Sequence, residues 1–110
     1  MIAGALEVVA IEEVEGVSPG TFSEAERAYA RSKSDPARRL AARLAAKRAA
    51  ASLLATDPAE IEVLPARGGP PRLRLSARAE AKLKELGARR TLVSLSHGRT
   101  HAAAAVLLLR

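Results

Sequence analysis

One stretch of the chain combines a leucine stripe with regularly spaced positive side chains. In RLAARLAAKRAAASLLA (39–55), Arg39, Arg43 and Lys47 recur every four residues, so a helix would align them as a basic stripe. Their guanidinium and ammonium groups suit the oxygens of phosphates or carboxylates. The alternative is a solvated face without a ligand. Arg48 lies outside that stripe, beside the leucines, and needs a partner of its own.

Histidine and serine side chains cluster near the end of the chain, in SLSHGRTH (94–101). The four-residue spacing of His97 and His101 would suit zinc on a helix, but this segment contains a glycine and the chain has no cysteine, so we expect no zinc site. Ser96 and His97 are neighbours on a predicted strand and should point to opposite faces, which argues against a hydrolase pair. The chain also lacks the GxxxxGK[ST] and GxGxxG phosphate loops.

Charge is distributed unevenly along the 110 residues, whose net charge is +6. Residues 1–26 contain six acidic residues and no Lys or Arg, whereas residues 27–110 contain the other six acidic residues and all eighteen basic ones. The basic part favours an acidic or phosphate-bearing partner. Nucleic acid is not the expected partner, because the only aromatic residues, Phe22 and Tyr29, lie outside basic clusters of the sequence and offer no stacking platform. Binding to a duplex backbone by charge alone stays an alternative.

The absence of cysteine suits a reducing compartment. The opening MIAGALEVVAI has no positively charged start of a signal peptide, and the longest apolar run, 102–109, is too short to cross a bilayer. We therefore expect a cytoplasmic protein without a membrane partner.

The predicted elements that position these residues follow from local signals. Ser23 and Glu26 form a capping box, Asp35-Pro36 restarts a helix, and Gly87 ends one. EEVEGVSPG (12–20) is a turn, and Gly68-Gly69 closes a hairpin. The elements are a strand at 1–11, helices at 24–32 and 36–55, strands at 61–66 and 71–76, a helix at 77–87, and strands at 91–96 and 102–109.

This order, β-α-α-β-β-α-β-β, predicts one small α+β domain over residues 1–110, with a mainly antiparallel sheet packed on the long helix. The last strand is apolar on both faces, so it should lie in the middle of the sheet or at a subunit interface.

Three stretches resemble, in order and spacing, the holo-acyl-carrier-protein synthases, the small 4′-phosphopantetheinyl transferases. MIAGALEVVAI is similar to the opening strand of that family, DPARRLAARLAAKR to its helix motif RLAAKEA, and LVSLSHGRTHAAAAVLLL to its VSLSH element and the Ala-rich strand that follows. GGPPRLRL and the downstream helix ending in LG also fit. The resemblance covers nearly the whole chain.

The resemblance implies a 4′-phosphopantetheinyl-transferase-like fold that assembles as a homotrimer with active sites between subunits. It implies Mg²⁺-assisted transfer of 4′-phosphopantetheine from coenzyme A to a serine of acyl carrier protein, a reaction of fatty acid biosynthesis. By the match, Arg43 and Lys47 would contact the phosphates, and Ser96 and His97 would contact coenzyme A at the strand end. Lys47 would also belong to the catalytic group.

The remaining catalytic positions of the match carry different chemistry here. With one deletion near Gly4, the metal-binding Asp of the family falls on Glu7, its metal-binding Glu falls on Arg48, and a lysine one turn later is Ser52. Mg²⁺ prefers oxygen ligands, and a guanidinium beside a single carboxylate repels it, so we expect no Mg²⁺ at Glu7. We expect Arg48 to pair instead with Glu7 or with Glu13, where the family has an arginine.

The segment EEVEGVSPG (12–20) replaces a basic segment that contacts carrier protein in the resembled family. Acyl carrier proteins are acidic, so the acidic residues at this place should repel them. Three functions stay open: a transferase in which Arg48 takes over part of the metal's task, a non-catalytic relative that binds coenzyme A or serves assembly, and a trimeric structural protein.

Overall fold

A long helix packed against a three-stranded sheet forms the centre of the fold. The computed structural model describes residues 1–65 and 68–110. Its strands and helices are β1 (Ala3–Ala10), α1 (Glu24–Arg31), α2 (Pro36–Leu54), β2 (Ile61–Leu64), β3 (Arg72–Leu75), α3 (Ala77–Glu85), β4 (Arg90–His97) and β5 (His101–Leu109). The predicted α+β order is confirmed.

The main sheet has the order β1-β5-β4, with both pairs antiparallel. β5 lies in the middle, as its apolar sequence predicted. Alternate residues of β5 are buried against α2: Ala102, Ala104, Val106 and Leu108. The intervening residues lie on the outer face, so the two sides of this sheet have different surroundings.

A second, two-stranded sheet joins β2 and β3, with Ile61 opposite Leu75. The hairpin was predicted, but β2 ends at Leu64. The predicted strand extended to Ala66, which lies outside the described residues. Gly68 has φ of +72°, a left-handed conformation that suits the predicted Gly68-Gly69 turn.

Local signals set the helix ends. The Ser23 hydroxyl accepts from the Glu26 N–H at 3.1 Å, and the Glu26 carboxylate accepts from the Ser23 N–H at 2.8 Å, so the predicted capping box forms. Asp35 occupies the N-cap position of α2, but its carboxylate accepts from Arg39 Nε at 3.0 Å and makes no capping hydrogen bond. Gly87 ends α3 with φ of +80°.

The segment predicted as a turn contains a 3₁₀ helix at Ile11–Gly16, here named the acidic 3₁₀ helix. The Glu13 carboxylate accepts from the Ala10 N–H at 2.8 Å, which anchors the first turn of this helix to the end of β1. Turn chemistry alone did not indicate this link. In the ranges that the structure describes, none of the helices has the length and apolar character needed to cross a membrane.

Candidate functional site

A cleft of about 330 Å³ lies between α2 and the end of β4. Its lining includes two cationic side chains, an aromatic ring, an imidazole and a proline pair: Arg39, Arg43, Tyr29, His97, Pro70 and Pro71. Arg39 and Arg43 are one turn apart on α2, so both reach the same side of the helix. The cleft is thus a concave site whose fixed charge is positive, which suits an anionic ligand.

Arg43 forms the inner wall of this cleft. Its guanidinium carbon lies 4.2 Å from the centroid of the Tyr29 ring, and its Nη1 donates to the Arg39 carbonyl at 3.3 Å. Its Nε is buried and has no acceptor among the described residues. Burial lowers the pKa of Arg43 from its usual value. An arginine nevertheless stays protonated, so a positively charged group lines the cleft, while its Nε is enclosed by the protein.

Arg39 and His97 complete the polar lining. The Asp35 carboxylate accepts from Arg39 Nε at 3.0 Å, which raises the pKa of Arg39 and lowers that of Asp35. His97 ends β4 and is exposed. Ser96 is opposite Ala103, a residue of the outer sheet face, and is not among the residues that line the cleft. The strand alternation predicted for Ser96 and His97 therefore separates them.

Tyr29 is a cleft residue that the sequence did not reveal. The Lys33 ammonium lies 5.1 Å from its ring centroid, on a ring that also contacts Arg43. Tyr29 is thus in a basic cluster after all, because α1 brings it beside α2. The sequence places Tyr29 on α1, three residues after the capping Glu26. It contains no local pattern that would identify Tyr29 as a ligand-binding residue.

Two of the three members of the predicted basic stripe are buried rather than open to solvent. Arg43 is only 4% exposed and Lys47 only 1%. The Lys47 ammonium donates to Glu26 Oε1 at 2.6 Å within the protomer, and its contact with a phosphate stays a prediction. The reason is tertiary: α1, β2 and the main sheet all pack on α2 and enclose it on several sides.

Arg48 forms one of the two pairs expected for it. Its Nη1 lies 3.0 Å from Glu13 Oε1, with the two side chains 35% and 43% exposed. The hydrogen bond from the Ala10 N–H, followed by that from Arg48, lowers the pKa of Glu13. Glu7 shares the inner face of β1 with the buried Val9, and among the described residues its carboxylate takes part in no ion pair.

The residues at this place do not fit a magnesium ion. Mg²⁺ binds near-octahedrally through oxygen atoms, whereas Arg48 supplies positive charge and only hydrogen-bond donors. In residues 1–65 and 68–110, no group of three or more His, Cys, Asp or Glu side chains could hold a metal. The carboxylate of Glu13 is already taken up by Arg48 and the Ala10 N–H.

The two sets of candidate residues lie far apart within the protomer. Arg48 follows Arg39 by nine residues of α2, which places them on opposite sides of the helix, about 180° apart. Glu7 and His97 lie on β1 and β4, the two edges of the main sheet, with β5 between them. One copy of the chain therefore does not bring the Glu7–Glu13–Arg48 group to the Arg43–His97 cleft.

Comparison with known proteins relates the chain to one family by sequence, although no family model matches it. It is 46% identical over 80 residues to the holo-[acyl-carrier-protein] synthase of Nitratidesulfovibrio vulgaris, covering 67% of this chain and 64% of that protein. The chain thus spans less than two thirds of the length of that relative. It is also 39% identical over 92 residues to the holo-[acyl-carrier-protein] synthase of Moorella thermoacetica, covering 79% of this chain and 72% of the relative.

The fold points the same way. The chain superposes on the ACPS–coenzyme A complex of Chronobacterium ammoniagenes with a TM-score of 0.79 and 28% identity, covering 96% of this chain and 95% of that one. The agreement extends over almost the whole length of both chains. By sequence and by structure, this chain belongs to the holo-[acyl-carrier-protein] synthase family.

Proposed function

We propose that this protein transfers 4′-phosphopantetheine from coenzyme A to a serine of acyl carrier protein, at a rate lowered by the exchange of a carboxylate for Arg48. The cleft beside α2 supports the proposal, because its cations suit the phosphates of coenzyme A. The similarity to a relative solved as a coenzyme A complex supports the same ligand. The cytoplasmic location predicted from the composition stays a prediction.

The cleft residues would bind and orient the donor. The Arg43 guanidinium, held against the Tyr29 ring at the inner wall of the cleft, supplies positive charge for a phosphate, and the ion pair with Asp35 fixes the direction of the Arg39 guanidinium. His97 at the cleft rim can donate to a second phosphate oxygen. In the reaction, the serine hydroxyl attacks the phosphorus that bears phosphopantetheine, and adenosine 3′,5′-diphosphate leaves. Catalysis of this kind depends on positioning and on neutralising charge.

We also propose that the Glu7–Arg48 region binds no Mg²⁺. A half-exposed guanidinium can neutralise part of the charge on a diphosphate. It lacks the charge density of a divalent cation, and Glu13 competes for it. A lower transfer rate follows from this chemistry.

A homotrimer would bring the separated halves of the site together. The outer face of the main sheet carries exposed apolar side chains, with Leu6 70%, Val8 58% and Leu92 51% exposed. Exposed apolar surface of this kind marks interfaces between subunits. We propose that this face is buried between copies, so that the Arg48 group of one protomer approaches the cleft of another.

The decisive assay follows the mass of apo acyl carrier protein incubated with the protein and coenzyme A, with Mg²⁺ or with a chelator. We expect the phosphopantetheinyl adduct to form slowly and at a rate that Mg²⁺ changes little. Arg43→Ala should weaken coenzyme A binding, whereas Arg31→Ala, an exposed arginine on α1, should not. Fast transfer that disappears on chelation would contradict the proposal for Arg48.

The second candidate is a coenzyme A-binding relative without transferase activity. The Glu13–Arg48 pair favours it, because it holds the guanidinium away from a substrate. This candidate predicts calorimetric binding of coenzyme A with no adduct at any enzyme concentration. Under it, the double change Arg48→Glu with Ser52→Lys should create activity, and the single change Ser52→Lys is the matched control.

A further inference from the structure

We propose that the exposed bases of β3 and α3 form the docking surface for the acidic carrier protein, in place of the segment after β1. The inference rests on the proposed function for the identity of the partner. We name this surface the β3–α3 surface; its basic residues are Arg72, Arg74, Arg78, Lys82 and Lys84.

Charge is the first argument. Residues 70–90 contain seven basic and two acidic side chains. Arg72 and Arg74 both lie on the exposed side of β3 because strand residues alternate. α3 buries Ala79 and Leu83, which leaves Arg78 and Lys84 exposed on its other sides. Arg74 lies 3.2 Å from Glu62 and Lys82 lies 3.8 Å from Glu85, so the excess positive charge on this side comes from Arg72, Arg78 and Lys84, and it attracts an acidic protein.

Position is the second argument. Pro70 and Pro71 line the cleft, and β3 begins with Arg72 immediately after them. β3 also packs beside β4, which carries His97 to the same cleft. A partner on the β3–α3 surface would therefore have its serine near the cleft that we assign to coenzyme A.

The acidic 3₁₀ helix, which follows β1, is the alternative docking place for carrier protein, and its charge argues against it. The exposed Glu12 and Glu15 lie on the acidic 3₁₀ helix, which is joined to α2 through Arg48. Arg48 lies about 180° around α2 from Arg39 of the cleft. Within one protomer, the cleft therefore adjoins positive surface. Where the proposed trimer brings the acidic 3₁₀ helix of a neighbouring copy to the cleft, Glu12 and Glu15 would repel an acidic partner, so charge favours docking on the β3–α3 surface.

Nucleic acid is the other class of partner for a basic surface. The β3–α3 segment, residues 72–85, contains no aromatic residue on which a base could stack. A duplex would have to bind through its backbone alone. The adjoining cleft and the family of the chain favour an acidic protein instead.

The test measures the affinity of fluorescently labelled apo acyl carrier protein without coenzyme A, so that binding is read independently of transfer. The test variant is Arg72→Glu with Arg78→Glu, because neither arginine forms an ion pair with another described residue. The control is Arg31→Glu with Arg99→Glu, which changes the net charge equally at other places; it also removes the exposed Arg31–Glu24 pair, which contributes little to stability. Circular dichroism and the oligomeric state verify that both variants fold like the wild type.

We expect the test variant to bind carrier protein at least about tenfold more weakly at low salt, with a flatter salt dependence, and the control to change affinity less than threefold. Equal weakening by both variants, or none by the test variant while the wild type binds, would overturn the inference and leave the proposed function standing. A wild type that binds coenzyme A but no carrier protein would overturn both. Tighter binding of a DNA duplex, lost in the same variant, would assign the surface to nucleic acid and refute the inference.

Discussion

Ala55 ends α2 in a conformation that usually belongs to glycine. Its φ is 53°, and its N–H donates to the Ala51 carbonyl. A Cβ in this left-handed region costs about 1–2 kcal/mol, and glycine avoids that cost. Part of the gain is lost because glycine makes the unfolded chain more flexible. We therefore expect Ala55→Gly to raise the free energy of unfolding by about 0.5–1 kcal/mol, measured by urea denaturation.

The control for Ala55 is Ser52→Gly, one turn earlier on the exposed side of the same helix. There the backbone is helical, so glycine should lower the free energy of unfolding by about 0.5 kcal/mol. Opposite signs for the two substitutions would establish that conformation rather than glycine itself decides the effect. A loss of stability in both variants would refute the explanation for Ala55.

Glu13 should make stability depend on acid. The Ala10 N–H and then Arg48 lower the pKa of Glu13 below its ordinary value of 4.5. A lowered carboxyl pKa gives stability that is fully present above the unfolded pKa and is lost as pH falls through the folded pKa. The difference in thermal midpoint between wild type and Glu13→Gln should therefore be largest at pH 6–7 and vanish well below pH 4.5.

Glu15→Gln is the control for Glu13, because Glu15 is exposed on the same acidic 3₁₀ helix and accepts no hydrogen bond from a described residue. Its thermal midpoint should follow that of the wild type at every pH. A difference for Glu13→Gln that does not change between neutral and acidic pH would show that Glu13 stabilises the fold by a route other than its charge.

At the scale of elements, one buried carboxylate joins three parts of the fold. Glu26 on α1 accepts from the Ser23 N–H, from Lys47 of α2 at 2.6 Å and from the Val63 N–H of β2 at 2.8 Å. Ser23 in turn donates to Glu62 at 2.6 Å. The N-terminus of α1 is therefore fixed to the long helix and to the hairpin through hydrogen-bonded polar groups.

Breaking this buried pair on one side should be costly. Lys47→Met leaves the Glu26 charge without its ammonium, and we expect the free energy of unfolding to fall by about 3–5 kcal/mol. The double variant with Glu26→Gln should lose less than the two single losses together, because it strands no charge. Urea unfolding followed by circular dichroism measures all three.

The exposed pair Arg31–Glu24 is the matched comparison for Lys47–Glu26. Arg31→Met should cost less than about 1 kcal/mol, since water solvates the remaining carboxylate. If Lys47→Met costs no more than Arg31→Met, water reaches the Lys47 site and the pair does not hold the three elements together.

The capping box and the pairing of Arg48 could be predicted from sequence, whereas the surroundings of α2 could not. Ser23 and Glu26 are three residues apart, so their contact depends on local backbone alone. The burial of Lys47 depends on α1 and β2, which approach α2 from elsewhere in the chain. A stripe of cations every four residues indicates a common side of a helix, but it does not indicate which neighbours cover that side.

The same reasoning explains the site. Arg43 and His97 both line the cleft. The resemblance indicated them because each lies within one of the sequence motifs that carry it. Tyr29 and the Pro70-Pro71 pair come from other elements and lacked such a pattern. The resemblance also indicated Ser96, but strand alternation directs it to the other face of the sheet.

At the scale of the whole molecule, the arrangement leaves two half-sites and one uncovered apolar face. The cleft lies at the β4 edge of the main sheet, and Glu7 lies on β1 at its other edge. The outer face between these edges carries Leu6, Val8 and Leu92. Copies that associate through this face would bury apolar surface and could join unlike edges, so assembly and completion of the site are one event in our proposal.

Charge on that face should therefore separate the copies and stop transfer together. Leu6→Lys with Val8→Lys places two cations where apolar side chains meet, so we expect the trimer to dissociate into monomers in size-exclusion chromatography with light scattering. Leu86→Lys is the control, since Leu86 is 46% exposed but lies after α3, off the sheet. Because the cleft lies on the opposite side of the sheet from Leu6 and Val8, a folded monomer should still bind coenzyme A, although more weakly, while its transfer activity is lost.

A wild type that is monomeric at micromolar concentration, or a charged variant that stays trimeric, would contradict this assembly. A monomer that keeps full activity would show that a single copy contains the whole site.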